Sequence, residues 1–247
     1  MKNSIIKLTV MGIIVMIIIG VYHFIPFAST AKIADSPEIV RTSPVETTPK
    51  LVPIDIKLPK PIFQTGPHYI DVPNLEKPSG KPRPPFMAPV GAKNVALGKL
   101  AFSTDNESLI GSIEKVTDGR KEERDNNLIE LRPGLQSITV DLGDSYNIYA
   151  IVIWHYHRQD RVYYDVVVQV ADDPDFITNV RTLFNNDIDN SSGLGVGTDM
   201  HYVETYEGKL IDAKGVKARY VRLHSNGNSV NDLNHYIEVE VYSKPAE

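Results

Sequence analysis

ITVDLGDSYNIYAIVIW, residues 138–154, is the stretch that decides how this chain folds. Ile138, Val140 and Leu142 alternate with Thr139 and Asp141, the period-2 pattern of a strand with one face in a core. LGDS, starting at 142, supplies turn residues, and Ile148 to Trp154 returns to β-branched and aromatic side chains. VYYDVVVQV (162–170), ARYVRLHS (218–225) and YIEVEVY (236–242) carry the same signature downstream. In the second of these, Tyr220, Arg222 and His224 share one face and Val221 and Leu223 the other. DG at 118, PG at 133, DDPD at 172 and NGN at 226 punctuate the strands, and no segment of this half sustains a 3.6-residue apolar stripe. The expected fold class is all-β, an antiparallel β-sandwich or jelly roll.

The 247 residues divide unevenly around that core. Fourteen of the 17 prolines lie between Pro26 and Pro89. Residues 90–247 hold 16 Lys/Arg against 25 Asp/Glu, a net of −9, which argues against a nucleic-acid partner because phosphate contacts need a basic face. There is no cysteine, so disulfides and thiolate zinc sites are excluded. Residues 1–28 read as a signal-anchor transmembrane helix or a signal peptide: the run from Leu8 to about Ala28 matches the ~20 apolar residues that cross a bilayer. Lys2 and Lys7 ahead of it hold the start in the cytoplasm, and STA ending at Ala31 is the competing cleavage site. Either way the remainder is expected outside the cytoplasm, single-pass and membrane-anchored, or secreted once the leader is cut. Residues 29–91 read as a proline-rich disordered stalk, with PIFQTGPHYIDVP its most apolar patch and the part that docks if any does.

With the strands placed, six phrases in order carry a family resemblance: NVALGKLAFST (94–104), EKVTDG (114–119), ITVDLGDSYNIYAIVIW, VVVQVADDPDF (166–176), ARYVRL and YIEVEVY. Together they resemble the discoidin, or coagulation-factor C-type (F5/8 type C), domains, galactose-binding-like jelly rolls that include carbohydrate-binding module family 32. The resemblance spans about residues 92–243. It implies a β-sandwich with close termini, ligand loops at one end, and a structural calcium. Carried over by position, the calcium ligands are the carbonyls of Lys115, Arg120 and Ile237 and the carboxylates of Asp118 and Glu238. Glu123 stands where the family has Ser or Thr, and its carboxylate joins the candidate ligands. An all-oxygen set from two distant segments suits calcium, and a plain Asp118-Gly119 turn is the alternative.

The polar centre of the chain is HYHRQDR, 155–161. Two histidines at i and i+2 begin a cupin-type metal site, which also needs a glutamate just downstream, and HYHRQDRVYYD has none. No GxSxG turn presents a nucleophile, and SSGLGVGTD (191–199) lacks the GK[ST] of a phosphate loop. Recognition remains. A sugar ring needs an aromatic platform with planar donors and acceptors, and the candidates are His157, Arg158 and Arg161 in one loop and Asn226, Asn228, Asn231 and His235 in another. Asparagines that only support tight turns are the plainer reading of the second loop. Trp154, among apolar neighbours, is expected in the core. The expected function is a membrane-tethered, non-catalytic module binding a cell-surface or polysaccharide glycan at the cell envelope. A protein-interaction or envelope-scaffolding domain and a glycoside hydrolase with an unrecognised acid pair are the alternatives.

Overall fold

The structure is a computed structural model that describes residues 49–61, 70–122, 124 and 126–246. Residues 1–28, where the sequence places a membrane helix or signal peptide, lie outside the described residues, as does Glu123. Among the described residues no helix is long and apolar enough to cross a membrane. The second of two compact units, Thr47–Glu247, holds every described element.

Eleven strands follow in chain order: β1 Leu51–Pro53, β2 Met87–Pro89, β3 Lys93–Asn94, β4 Leu100–Ser103, β5 Ile129–Leu131, β6 Gln136–Trp154, β7 Val167–Ala171, β8 Arg181–Asn185, β9 Lys209–Ser225, β10 Asn234–Tyr236 and β11 Glu238–Pro245. One 3-10 turn, Ile113–Thr117, interrupts them. The main sheet runs β3-β11-β6-β9-β7-β8, with β4 added on β6, and every pairing is antiparallel. β6 and β9 serve two layers. Their pairing slips between Asp141 and Tyr146 and again between Ile148 and Ala150, the irregularity by which a strand bends from one layer to the next. Gly143, at φ +83, sits in the first of these bends. The N-terminal half of β6 pairs with β4 and with residues 220–225 of β9; its C-terminal half pairs with β11 and with residues 209–218.

Ile138, Val140, Val168, Val170, Val221 and Leu223 from the first layer meet Ile151, Ile153, Ile211, Val239 and Val241 from the second in one core. At ~25 cal/mol per Å² of apolar surface, closing these two faces on each other is the main favourable term in folding. The alternation read from the sequence is therefore present, and the fold is the expected all-β antiparallel sandwich.

The opposite face of the second layer is not left to solvent. Ala150, Val152, Trp154, Ile237 and Tyr242 form a second apolar cluster covered by Ile54, Ile56 and Phe86. Trp154 is fully buried, as expected, and its Nε1 donates to the Tyr206 carbonyl at 2.9 Å. The cover comes from the proline-rich segment. β1 and β2 pair with each other, Arg83 donates to the carbonyls of Gly208 (2.8 Å) and Glu207 (3.0 Å), and Glu76 pairs with Lys209 at 3.0 Å. Where the sequence reads as a spacer, the described parts form a strap. Proline excludes a central strand there, yet a strap needs few amide donors, and its apolar residues bury themselves against a sheet face that would otherwise be wet.

Candidate functional site

The turn after β6 and the loop after β9 come together. Ser229 N–H donates to the Val162 carbonyl (2.8 Å), Val162 N–H to Ser229 Oγ (3.1 Å), Tyr164 N–H to the Gly227 carbonyl (3.2 Å) and Asn226 N–H to the Tyr164 carbonyl (2.9 Å). The two polar segments singled out in the sequence are thus one surface. Within it, the named residues divide sharply between scaffold and rim.

His235 is buried, with Nδ1 3.1 Å from Tyr163 Oη and Nε2 3.1 Å from Glu130 Oε2. Burial first, then the charges of Arg161 and His155, push its pKa down to about 3, so the ring is neutral: Nε2–H donates to Glu130 and Nδ1 accepts from the tyrosine. His157 is buried too, with Nε2 3.1 Å from the Lys121 carbonyl and its pKa lowered by burial. Arg161 lies 4.6 Å from the Tyr156 ring centroid and reaches Gln159 at 3.3 Å, while its Nε and Nη1 are enclosed without a partner. Asn228 accepts from Val230 and Asn231 N–H and donates to Asn231 Oδ1 and the Leu233 carbonyl, and Asn231 accepts from Leu233 N–H. Both asparagines hold a tight turn. Asn226 donates to Asp165 Oδ2 at 2.8 Å, beside Asp187 and Asp189. Only Arg158 of the named residues is exposed.

What these residues frame is a cleft of about 440 Å³, lined by Ile70, Asp71, Val72, Gln159, Asp160, Tyr164, Ser229 and Val230. Sequence reasoning passed over Tyr164: it lies in a bend ahead of β7, partly buried between the buried Tyr163 and Asp165, and no periodic pattern in the sequence marks it. A larger cleft of about 880 Å³ lies between strap residues 76–84 and residues 202–210. Several of its polar groups are already engaged: the Glu207 carboxylate accepts from the Arg83 backbone N–H, the Arg83 guanidinium donates to the Gly208 and Glu207 carbonyls, and Lys209 pairs with Glu76.

His155 and Glu204 form a buried pair at 2.9 Å, stacked on Tyr163 at 4.3 Å. A glutamate does reach the histidine strand, from 49 residues away rather than from the next turn. Among the described residues the one trio of side chains whose ligand atoms lie close enough to share a single ion is Asp165, Asp187 and Asp189.

The residues carried over for calcium lie between the 3-10 turn and β11. Glu238 is fully buried; its Oε2 accepts from Gly119 N–H at 3.0 Å and its Oε1 has no partner. Burial, reinforced by the charges of Glu240 and Asp118, pushes its pKa up to about 9. The nearby ammonium of Lys121 is taken by Glu240 at 2.6 Å. Asp118 Oδ1 accepts from Arg120 N–H (2.9 Å), and the Lys115 carbonyl accepts from Asp118 N–H (3.3 Å). An orphaned buried carboxylate oxygen beside a second carboxylate and free carbonyl lone pairs fits a hard cation.

No family model matches the chain, and no curated protein does. Solved structures do. The chain is similar to chitosan-binding module 1 from the chitosanase/glucanase of Paenibacillus sp. IK-5, at 21% identity and TM-score 0.40, over 61% of this chain and 98% of that one. It is similar to CpGH89CBM32-4 of Clostridium perfringens, in complex with GlcNAc-alpha-1,4-galactose, at 15% identity and TM-score 0.46, over 63% and 97%. It is also similar to a Streptococcus pneumoniae fucose binding module, SpX-3, at 15% identity and TM-score 0.43, over 62% and 98%. What those modules bind is a property of those proteins, and fold alone does not carry it across.

Proposed function

We propose that this chain is a non-catalytic carbohydrate-binding module, held outside the cytoplasm by its N-terminal segment, that takes a cell-surface or polysaccharide glycan in the cleft around Tyr164. The observation that carries this reading is the composition of the cleft. A half-exposed tyrosine ring stands among Gln159, Asp160, Asp71 and Ser229, an apolar platform ringed by planar or fixed hydrogen-bonding groups. The buried set of His157, Arg161, Asn228 and His235, with the partly buried Asn231, supports it from beneath, locking both loops so that little order is lost on binding. Arg158, exposed beside the cleft, reaches the ligand's rim. The lining supplies one aliphatic hydroxyl, Ser229, whose oxygen accepts from Val162 N–H, and no histidine to activate it, which favours recognition over chemistry.

Calcium is part of the proposal. Lys115, Asp118, Arg120, Ile237 and Glu238 would hold it, where it would neutralise Glu238 and pin β11 to the 3-10 turn. The test of function is a glycan array probed with the full-length chain and with Tyr164→Ala. Binding to at least one glycan, lost or reduced about tenfold or more in the variant, is expected from removal of an aromatic anchor. No glycan retained, or equal retention by the variant, refutes the reading; turnover of a chromogenic glycoside would replace it with a hydrolase.

A further inference from the structure

A groove of about 350 Å³ lies on the sheet itself and shares no residue with the Tyr164 cleft. The register pairs Phe102 with Thr139 and Thr139 with Arg222, so three strands present one row of side chains. That row faces away from the core, because the residues on either side of it, Ala101, Ile138, Val140, Val221 and Leu223, are core. The next row pairs Ser137 with His224, and Ser103, Thr104, Leu135 and Gln136 complete the lining.

Three features of this groove are unusual for a solvated sheet face. Phe102 is 55% exposed and forms one wall. Arg222 is fixed from three sides: Nε donates to Thr139 Oγ1 (2.8 Å), Nη2 donates to the Pro174 carbonyl (2.8 Å), and the guanidinium lies 3.9 Å from the Phe176 ring centroid. Its Nη1 has no acceptor among the described residues, and no carboxylate lines the groove. Asp173 and Asp175 sit near the guanidinium, but Asp173 is committed to the N–H groups of its own loop. His224 is about nine-tenths buried, makes no side-chain hydrogen bond, and has its Nε2 enclosed without a partner.

We propose that this groove is a second saccharide site and that its ligand is a sugar bearing a carboxylate. The ring's C–H face lies on Phe102, the carboxylate meets Arg222 Nη1, and a ring hydroxyl gives His224 the partner the fold withholds. Charge complementarity selects the acid: a preorganised guanidinium with an open donor and no counter-ion in the groove favours an anion over a neutral ring. The volume is at the small-ligand end of the ~300–1,000 Å³ range, too little for a folded partner's surface. The Tyr164 cleft, with Asp71 and Asp160 and no cation in its lining, has the opposite preference, so one module sorts sugars by charge.

The inference extends the glycan-binding reading to a separate site, and the two fail separately. The full-length chain, isotope-labelled at its histidine rings, is titrated with galacturonate and with galactose while the ring resonances are followed by NMR. Galacturonate is expected to shift His224 saturably, with galactose at least tenfold weaker, or ~1.4 kcal/mol. Phe102→Ala, an exposed position, is expected to weaken galacturonate about tenfold without lowering the melting temperature, and Tyr164→Ala to leave the His224 response intact. A His224 that ignores galacturonate, an equal response to both sugars, full affinity in Phe102→Ala, or loss of the response in Tyr164→Ala overturns the second site. Acidic glycans held equally by Tyr164→Ala on the array report this second site, so the Tyr164 reading is judged on the neutral glycans there and the two outcomes stay separate.

Discussion

Acidification should weaken this fold through His224 by an amount the structure sets. Burial first, then the charge of Arg222, lowers the pKa of this imidazole from 6.5 to about 4. Between those values the unfolded chain takes up a proton that the folded state refuses, so stability falls as pH falls. The contribution is complete above 6.5 and is lost progressively down to about 4. At ~1.4 kcal/mol per pH unit, the window is worth roughly 3 kcal/mol, a large share of the ~5–15 kcal/mol that holds a domain together. Other groups titrate over the same range, so the measurement is a difference: urea unfolding of the chain and of His224→Gln at a series of pH values. The stability of the wild type relative to the variant should fall with a slope approaching ~1.4 kcal/mol per unit below 6.5 and be flat above it. A flat difference throughout would mean that His224 is protonated in the folded state, and the enclosed, partnerless environment ascribed to it would be wrong.

Two further outcomes test the strap and the calcium proposal. A Cβ on Gly208, at φ +65, would come within 2.7 Å of the Ile153 carbonyl and 2.8 Å of the Trp154 ring, whereas one on Gly80, at φ +62, would meet nothing. Gly208→Ala should therefore cost about 1–3 kcal/mol more than Gly80→Ala in chemical denaturation, the crowding term left after the shared backbone strain of ~1–2 kcal/mol cancels; equal losses would refute the packing of Trp154 against the Gly208 turn, which the strap's Arg83 caps. Calcium at a hundredfold excess over its Kd should raise the stability of the full-length chain by about 2.7 kcal/mol over chelator-treated protein, and Glu238→Gln should abolish the response. A melting temperature indifferent to chelator removes the metal.

The layers were legible because period-2 alternation is a local property, and Ile138, Val140 and Leu142 reported their face without knowledge of the partner strand. The convergence of the 157–161 and 226–235 loops was legible only through the family resemblance, since pairings such as Val162 with Ser229 span 67 residues. The strap was not legible. Prolines signal the absence of regular structure, and nothing in Ile54, Ile56 or Phe86 taken singly says that a sheet face far along the chain lacks a cover.

The division of labour among the polar residues has a physical cause that composition hides. A loop that must present a rigid surface has to satisfy its own backbone first, and histidine, arginine and asparagine are the side chains that do so. Asn228 answers two amides and one carbonyl of its own turn, and His235 joins Tyr163 to Glu130 across two segments. Side chains rich in donors and acceptors are thus drawn inward, where an unpaired backbone group costs most. The contact surface passes to plainer neighbours such as Tyr164, Gln159 and Asp160. Arg222 and His224 break that pattern: Arg222 keeps an unanswered donor and His224 makes no hydrogen bond, both in a groove that no carboxylate lines, and an open donor beside an enclosed ring nitrogen on one sheet face marks a place where a ligand completes the structure.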